Sequence, residues 1–300
     1  MSGQRIPLVQ RLRDGFRILW KHRTKTSREV RTYFTRFESL VGLLKEHVGK
    51  TPSGSRVVEF GCGQRALVPL AFAASGAESW AVDVESPTYE ISFRRLRDML
   101  RRNGAERMVK SLARHVLFDR RFFREFESVS GLKMKPFPKI TQRVGDAAHL
   151  DFPQEHFDLI YSFAVLEHVA DVGGVLSQMR RVLRPEGVGR ITVHLFPSLT
   201  GGHCMDWQYA LDPSYPEFEI PHRIPPWDHL RENLYPANTY LNRWRLDDFR
   251  REVTRQFRVL EEELVREGED LLHLAPADLL REYTATDLTT SVVRFIVRKK

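Results

Sequence analysis

From residue 56 onward, short apolar runs alternate with amphipathic ones, and this alternation constrains the fold more than any other feature. The pattern predicts buried strands over 56–60, 79–84, 140–145, 157–162 and 189–196. Helical spacing fills the gaps at 65–74 and 90–102. It fills another with the face Val172, Val175, Leu176, Met179, Val182 and Leu183, which Pro185 and Gly187 close. Such alternation packs as a parallel, doubly wound sheet with helices on both faces. A helix at 246–253, a strand at 257–264, a short helix at 277–283 and a strand at 291–297 complete the chain. Two regions break the rhythm. Residues 103–142 read as a basic helical piece ending in a proline-containing loop at 134–138. Residues 197–243 are rich in Gly, Pro and aromatics, lack periodicity and are too long for a passive connection. They are expected to form a lid or a substrate-binding element.

Ahead of the alternation lies a basic amphipathic extension, 1–52, leaving 53–300 as the main domain. Helices are expected over 6–21 and from Thr26, where Glu29 three residues on completes a capping box. The second carries Val30, Tyr33, Phe34, Phe37, Leu40 and Leu44 on one face. The formal charge of +8 is concentrated. Residues 1–50 hold twelve Lys/Arg against four Asp/Glu, and residues 91–126 hold eleven against four. Basic patches of this kind meet phosphate, acidic lipid or another polyanion. The aromatic and basic residues between Tyr33 and Phe37 follow the spacing of a helix core face, so nucleic acid is not the expected partner. The extension has three possible uses: peripheral contact with an anionic membrane through residues 1–50, covering the mouth of the site, or pairing with a second subunit as a homodimer. No apolar run approaches the roughly 20 residues of a membrane span. Arg11, Asp14 and Arg17 interrupt any signal peptide, and two cysteines make no disulfide framework, so a cytoplasmic protein is expected.

The residues that carry chemistry stand where strands end. In "VVEFGCGQ", Val57 to Gln64, an acid precedes two glycines one residue apart. Glycine permits a tight turn and close approach of a ligand. The loop tolerates a dinucleotide pattern, but Glu59 would repel a pyrophosphate and suits a ligand carrying an ammonium. Asp83 ends the second strand twenty residues after Gly63, and its two oxygens can accept from both hydroxyls of a ribose. Asp146, with Ala147 behind it, ends a third strand and can accept from an adenine amine. An amino acid, a ribose and an adenine in one row describe S-adenosylmethionine.

The segments "VVEFGCGQ", "AVDVES", "VGDAAHLDFPQEHFDLIYSFAVLEHV" and "RRVLRPEGVGRITVHLF" cover 57–196 in order and resemble a class I S-adenosylmethionine-dependent methyltransferase of the type-11, quinone-methyltransferase-like group. That resemblance implies an α/β, Rossmann-like, doubly wound seven-stranded sheet whose last strand is antiparallel, with an N-terminal helical extension and a lid after the fifth strand. It places Glu59, Gly61 and Gly63 at the methionine end, with Cys62 as a small loop filler. Asp83, followed by Val84, would hold ribose; Asp146 and Ala147 would contact adenine. Ser162 and Phe163 would line the sulfonium. Gln64 departs from the small residue commoner at its position, and Glu167-His168 matches the family's "LEH", with a loop-fixing role expected for the histidine.

The methyl acceptor is sought after the fifth strand. Transfer from a sulfonium is an in-line displacement, helped by alignment and, for an oxygen acceptor, by a base. His203 is the expected base, with Asp206 beside it; Trp207, Trp227, Asp228 and His229 are expected to offer flat apolar faces and hydrogen bonds to a hydroxylated small molecule or saccharide. His194, inside the strand, is expected in the core or behind the residues that touch the ligand. A divalent metal on His203, Asp206, Asp228 or His229 is a rival chemistry, but the spacing matches no recognised ligand motif and no metal is expected. C-methylation of a quinone- or polyketide-like ring is the alternative reaction. A non-catalytic cofactor-binding scaffold acting through its basic surface is the alternative class.

Overall fold

The computed structural model describes residues 26–300 apart from 214 and 238, without the side chains at 94, 98, 102, 103, 106, 107 and 110. The helix expected over 6–21 lies outside the described residues. Seven strands form one sheet in the order β3-β2-β1-β4-β5-β7-β6. These are β1 (Arg56–Phe60), β2 (Glu78–Asp83), β3 (Thr141–Val144), β4 (Phe157–Phe163), β5 (Leu183–His194), β6 (Phe257–Arg266) and β7 (Thr290–Lys299). Strands β1 to β5 pair in parallel, and β7 runs antiparallel to both β5 and β6. The order reverses between β1 and β4, so the crevice for a ligand opens beyond their carboxyl ends. The expected seven-stranded, doubly wound sheet with its last strand antiparallel is what forms.

In the centre of the sheet, β1 and β4 are buried on both faces, which is why they read as largely apolar runs. Val58, Phe60 and Ile160 pack under α5 (Val172–Val182) and α7 (Leu246–Gln256). Val57, Leu159 and Tyr161 pack on the opposite face under α1 (Thr26–Val48), α2 (Leu67–Ala74) and α4 (Arg120–Ser130). Helix α1 buries Val30, Phe37, Leu40 and Leu44 there, and Tyr33 and Phe34 meet Phe122 and Phe126 edge-on. The apolar face of residues 26–48 is therefore core of the main domain and is not free for a membrane. Full burial of one such side chain is worth about 1.5–3 kcal/mol.

Several boundaries move for physical reasons. Helix α2 starts at Leu67, because Ala66 is left-handed at φ 46°. Helix α3 (Phe93–Arg114) runs past the expected 102, is broken at Gly104 (φ 79°), and passes through a π turn (His115–Asp119) into α4. Helix α5 stops at Val182, not beyond Leu183: Pro185 has no N–H to continue it, and Leu183 already pairs with Phe157 at the start of β5. The aperiodic stretch 197–243 contains α6 (Met205–Leu211) and a 3₁₀ turn (Asp228–Leu230). It folds a third small core with the β6–β7 connection, where α8 (Ala277–Glu282) and α9 (Ala285–Thr289) lie.

Candidate functional site

The loop after β1 is tied to its neighbours by main-chain bonds. Gly61 and Cys62 both donate to the Val82 carbonyl, at 2.8 and 3.1 Å, and Gly63 donates to Asp83 Oδ2 at 2.7 Å. Gly61 (φ 79°) and Gly63 (φ 64°) are left-handed. A Cβ on Gly61 would lie 2.1 Å from Val165 Cγ2, so bare backbone is required where this loop meets the turn after β4. Asp83 Oδ1 accepts from Glu85 N–H at 2.8 Å, and the Asp83 carbonyl accepts from Gly145 at 2.9 Å. The ends of β1, β2 and β3 are thereby laced together.

Glu59 is buried at 5% exposure. Burial pushes its pKa up to about 8; Arg36 of α1 pulls against this, and Asp83 adds to it. A buried acid held largely neutral is suited to ionise against an arriving cation. The same burial and the same two acids push the Cys62 thiol well up, away from the reactive thiolate. Asp146 is exposed; the Ala148 N–H, at 2.9 Å, leads the interactions that hold its pKa below the usual range, and His149 stands 3.2 Å away. Ala147 is half-buried and Val84 is 68% exposed, an apolar surface beside the acids. The three acids thus share one edge of the sheet, Glu59 and Asp83 within electrostatic reach and Asp146 one residue beyond the Gly145 tie.

The charge of Arg36 was not singled out in the sequence, where it is one basic residue among many on α1. Its guanidinium lies 5.0 Å from the Phe163 ring centroid, with Arg190 at 5.5 Å. Phe163 therefore stands on the Glu59 side of the sheet. Ser162 alternates to the other side, fully buried, and its Oγ makes no hydrogen bond. Gln64 turns away from the crevice: its amide donates to Glu85 at 2.7 Å and accepts from Ser111 at 3.0 Å. Arg65, equally unremarked in the sequence, bonds Asp119 at 2.8 Å and Glu29 at 3.0 Å with its guanidinium 4.1 Å from the Phe122 ring centroid. That buried network joins α1, the glycine loop and the π turn.

The second half of the site lies beyond β4 and β5. The turn Leu166–His168 brings Glu167, 1% exposed, under His168 and His203. Neither Glu167 oxygen completes a hydrogen bond, and burial pushes its pKa up to about 8 against the nearby N–H groups of Glu167 and His194. His203, left-handed at φ 55°, stacks on His194 and meets His168 edge-on, each at 5.0 Å between ring centroids. Close approach of Gly201 to the Leu195 and Phe196 carbonyls, and of Gly202 to the His229 ring, seats it there. Burial, then the neighbouring imidazoles, depress the His203 pKa to about 3; the same causes take His194 to about 4. His203 is neutral at physiological pH but a weak proton acceptor. His194 bonds Thr200, which donates to Glu267.

The remaining acceptor-side expectations meet a packed interior. Trp227 is fully buried and donates to the Leu288 carbonyl at 3.1 Å. Trp207 is 2% exposed in the same small core. Asp228 accepts from Tyr235 N–H at 3.3 Å, and His229 donates to the Phe196 carbonyl at 2.8 Å. These four side chains hold the segment together and present no open face. Asp206 is buried in the first turn of α6. Of the residues weighed for a metal, only His203 joins a ligand-like cluster among the described residues, and its companions are Glu167 and His168. In the sequence Glu167 stands out only within "LEH", because nothing local shows that its carboxylate turns inward.

A family model described as a methyltransferase domain matches residues 32–261. Among solved structures, similar ones include a protein of Pyrococcus horikoshii, 17% identical, with 89% of this chain and 91% of that chain covered and a TM-score of 0.44. Another is an S-adenosylmethionine-dependent methyltransferase of Mesorhizobium loti, 18% identical, covering 82% and 92% at 0.44. A third is phosphoethanolamine N-methyltransferase 2 of Haemonchus contortus in complex with S-adenosyl-L-methionine, 18% identical, covering 87% and 52% at 0.43. No curated protein matches the chain. The family match spans most of the sequence and includes the glycine loop, all three strand-end acids and the histidine cluster, so the chain belongs to the methyltransferase-domain family and is a class I, S-adenosylmethionine-dependent enzyme.

Proposed function

We propose that this methyltransferase acts on a hydroxyl oxygen of a small hydroxylated acceptor, a saccharide being the class that fits best. The observation that carries the reading is the buried cluster of Glu167, His168, His194 and His203 beyond β4 and β5, next to the glycine loop. S-adenosylmethionine supplies an electrophilic methyl on a sulfonium. Glu59 would accept from its ammonium, and Arg36, beside Glu59, would meet its carboxylate. Asp83, at the end of β2, would take the ribose hydroxyls, and Asp146 the adenine amine beside Ala147 and Val84. Phe163 would stand against the sulfonium. The space beside Gly63, where a side chain would meet nothing, leaves room for the ligand, and the buried Glu59 gains a cation that offsets its burial.

At the acceptor end, the chain's own groups exclude water, orient the hydroxyl and receive its proton. His203, whose Nε2 is unpartnered, would receive the proton. Asp206, three residues on, is the residue proposed to assist it. Radiolabelled methyl transfer from the cofactor to a panel of sugars, polyols and catechols tests the reading. Product with the label on oxygen, lost in His203→Ala while cofactor binding persists, supports it; label only on carbon or nitrogen rejects it.

A further inference from the structure

We propose that Glu167, His168 and His203 form a divalent-metal site of two imidazoles and one carboxylate at the acceptor end. One potential ligand atom from each lies within 4.8 Å of the other two. That separation is a little wider than an ion with bonds of about 2.1 Å would draw them to, and side-chain rotation closes it. Two observations independent of this proximity point to a ligand. Glu167 is 1% exposed, yet neither carboxylate oxygen completes a hydrogen bond, although the N–H groups of Glu167 and His194 lie near it. His203 Nε2 is also buried and unpartnered. Interiors seldom leave such groups unsatisfied, and a cation satisfies both at once.

The surroundings are built as an outer shell is built. His168 Nδ1 donates to the Tyr240 carbonyl at 2.9 Å, which leaves Nε2 as the free lone pair and turns the ring inward. Asn242 clamps the turn that carries Glu167 and His168. Its N–H donates to the Glu167 carbonyl at 2.9 Å, and its side-chain amide donates to the Leu166 and Val169 carbonyls at 2.7 and 3.1 Å. His194 stacks on His203 and fixes that ring in turn. Residues 240–242 belong to the stretch after β5, so the element that brings His203 also fastens the other two ligands.

Two neutral imidazoles with one carboxylate favour Mn²⁺, Fe²⁺, Co²⁺ or Zn²⁺ over Mg²⁺ or Ca²⁺, which prefer mostly oxygen. Three ligands leave positions open, enough for two adjacent oxygens of one acceptor. The substrate class narrows accordingly to a vicinal diol, a catechol or an α-hydroxy acid. With the ion bound, His203 Nε2 would serve as a ligand and not as the base: the ion would lower the acceptor hydroxyl's hold on its proton, which would leave to solvent. This assignment of substrate class rests on the oxygen-acceptor reading above; the metal site itself does not.

The full chain, freed of metal with a chelator, is titrated with Mn²⁺ and followed by electron paramagnetic resonance and calorimetry. One site per chain is expected, weakened at least about tenfold in Glu167→Gln and in His203→Ala, with exposed His149→Ala unchanged as a control. Cofactor affinity is measured in each variant and should persist, which shows that the fold is intact. Equal Mn²⁺ binding by wild type, Glu167→Gln and His203→Ala overturns the proposal. Binding of Mn²⁺ without labelled oxygen product sinks the oxygen-acceptor reading and leaves the site. Undiminished oxygen methylation by chelated protein leaves that reading and removes the metal's role.

Discussion

The two ends of the crevice are built on opposite electrostatic plans. Beyond β1, β2 and β3 the chain places carboxylates, one buried, one laced into backbone bonds and one exposed. Beyond β4 and β5 it gathers imidazoles around a single buried acid. The first end is complementary to a cation with hydroxyls; the second is neutral and dry, suited to a group that must lose a proton. The difference shows how one sheet edge can hold a charged donor without binding the acceptor by the same forces. The ends touch at Gly61 and Val165, where a missing side chain lets the two loops pack.

Removing an acid from the first end should produce the largest effect. Asp83→Ala loses both the ribose acceptor and the anchors of Gly63 and Glu85, so calorimetry should show cofactor affinity reduced about 100-fold or more. Mn²⁺ binding at the other end should be unaffected; if both fall together, the two ends are not separable. Gly61→Ala attacks their junction. A Cβ 2.1 Å from Val165 and a left-handed backbone should cost about 2–4 kcal/mol, read as a lower denaturant midpoint. Val165→Ala in the same chain should restore part of that loss, and no restoration would mean the clash is not the cause.

Proton linkage distinguishes the ends more finely. Glu59, with a pKa of about 8, must ionise to receive an ammonium. Cofactor binding near neutral pH should therefore release a proton and tighten by up to about tenfold per pH unit between 6 and 7. Glu59→Gln should abolish the release, measured by calorimetry in buffers of differing ionisation heat. The smallest effect is on stability. His194 and His203, depressed to about 4 and 3, and His229, also depressed to about 4, contribute stability above pH 6.5 that is lost as pH falls toward those values. Glu59 and Glu167, raised from 4.5 to about 8, act oppositely: their contribution is full below 4.5 and is lost as pH rises to 8. Between pH 6.5 and 8 only the carboxylates change among these groups. The ligand-free protein should melt a few degrees lower at pH 8 than at 6.5. A Glu59→Gln, Glu167→Gln double variant should flatten that slope; an unchanged slope would place the titrating groups elsewhere.

The sequence revealed the two ends unequally. Glu59, Gly61, Gly63, Asp83 and Asp146 were legible because each sits at or just beyond the carboxyl end of a strand, and parallel strands bring those ends to one edge. Arg36 was not, because a basic residue on an amphipathic helix looks the same whether it faces solvent or a buried acid. Trp207 and Trp227 were read as acceptor platforms. In a polar, aperiodic stretch, a tryptophan that packs and one that is displayed share the same neighbours in sequence, and here both pack. The amphipathic face of α1 carried the same ambiguity between membrane and core, and it was resolved by α4, a helix some 75 residues further on.

Sequence by itself determined the strand–helix alternation, the glycine loop and the acidic row, because period, turn chemistry and strand-end position are local properties; the antiparallel last strand followed only from the family resemblance. Tertiary structure alone decided the rest. Glu167 and His168 lie thirty-five or so residues from His203, and Tyr240 and Asn242 lie further still. No local rule couples residues that far apart. Only closure of the chain after β5 onto the turn after β4, with Asn242 satisfying that turn's carbonyls, turns scattered polar residues into one cluster.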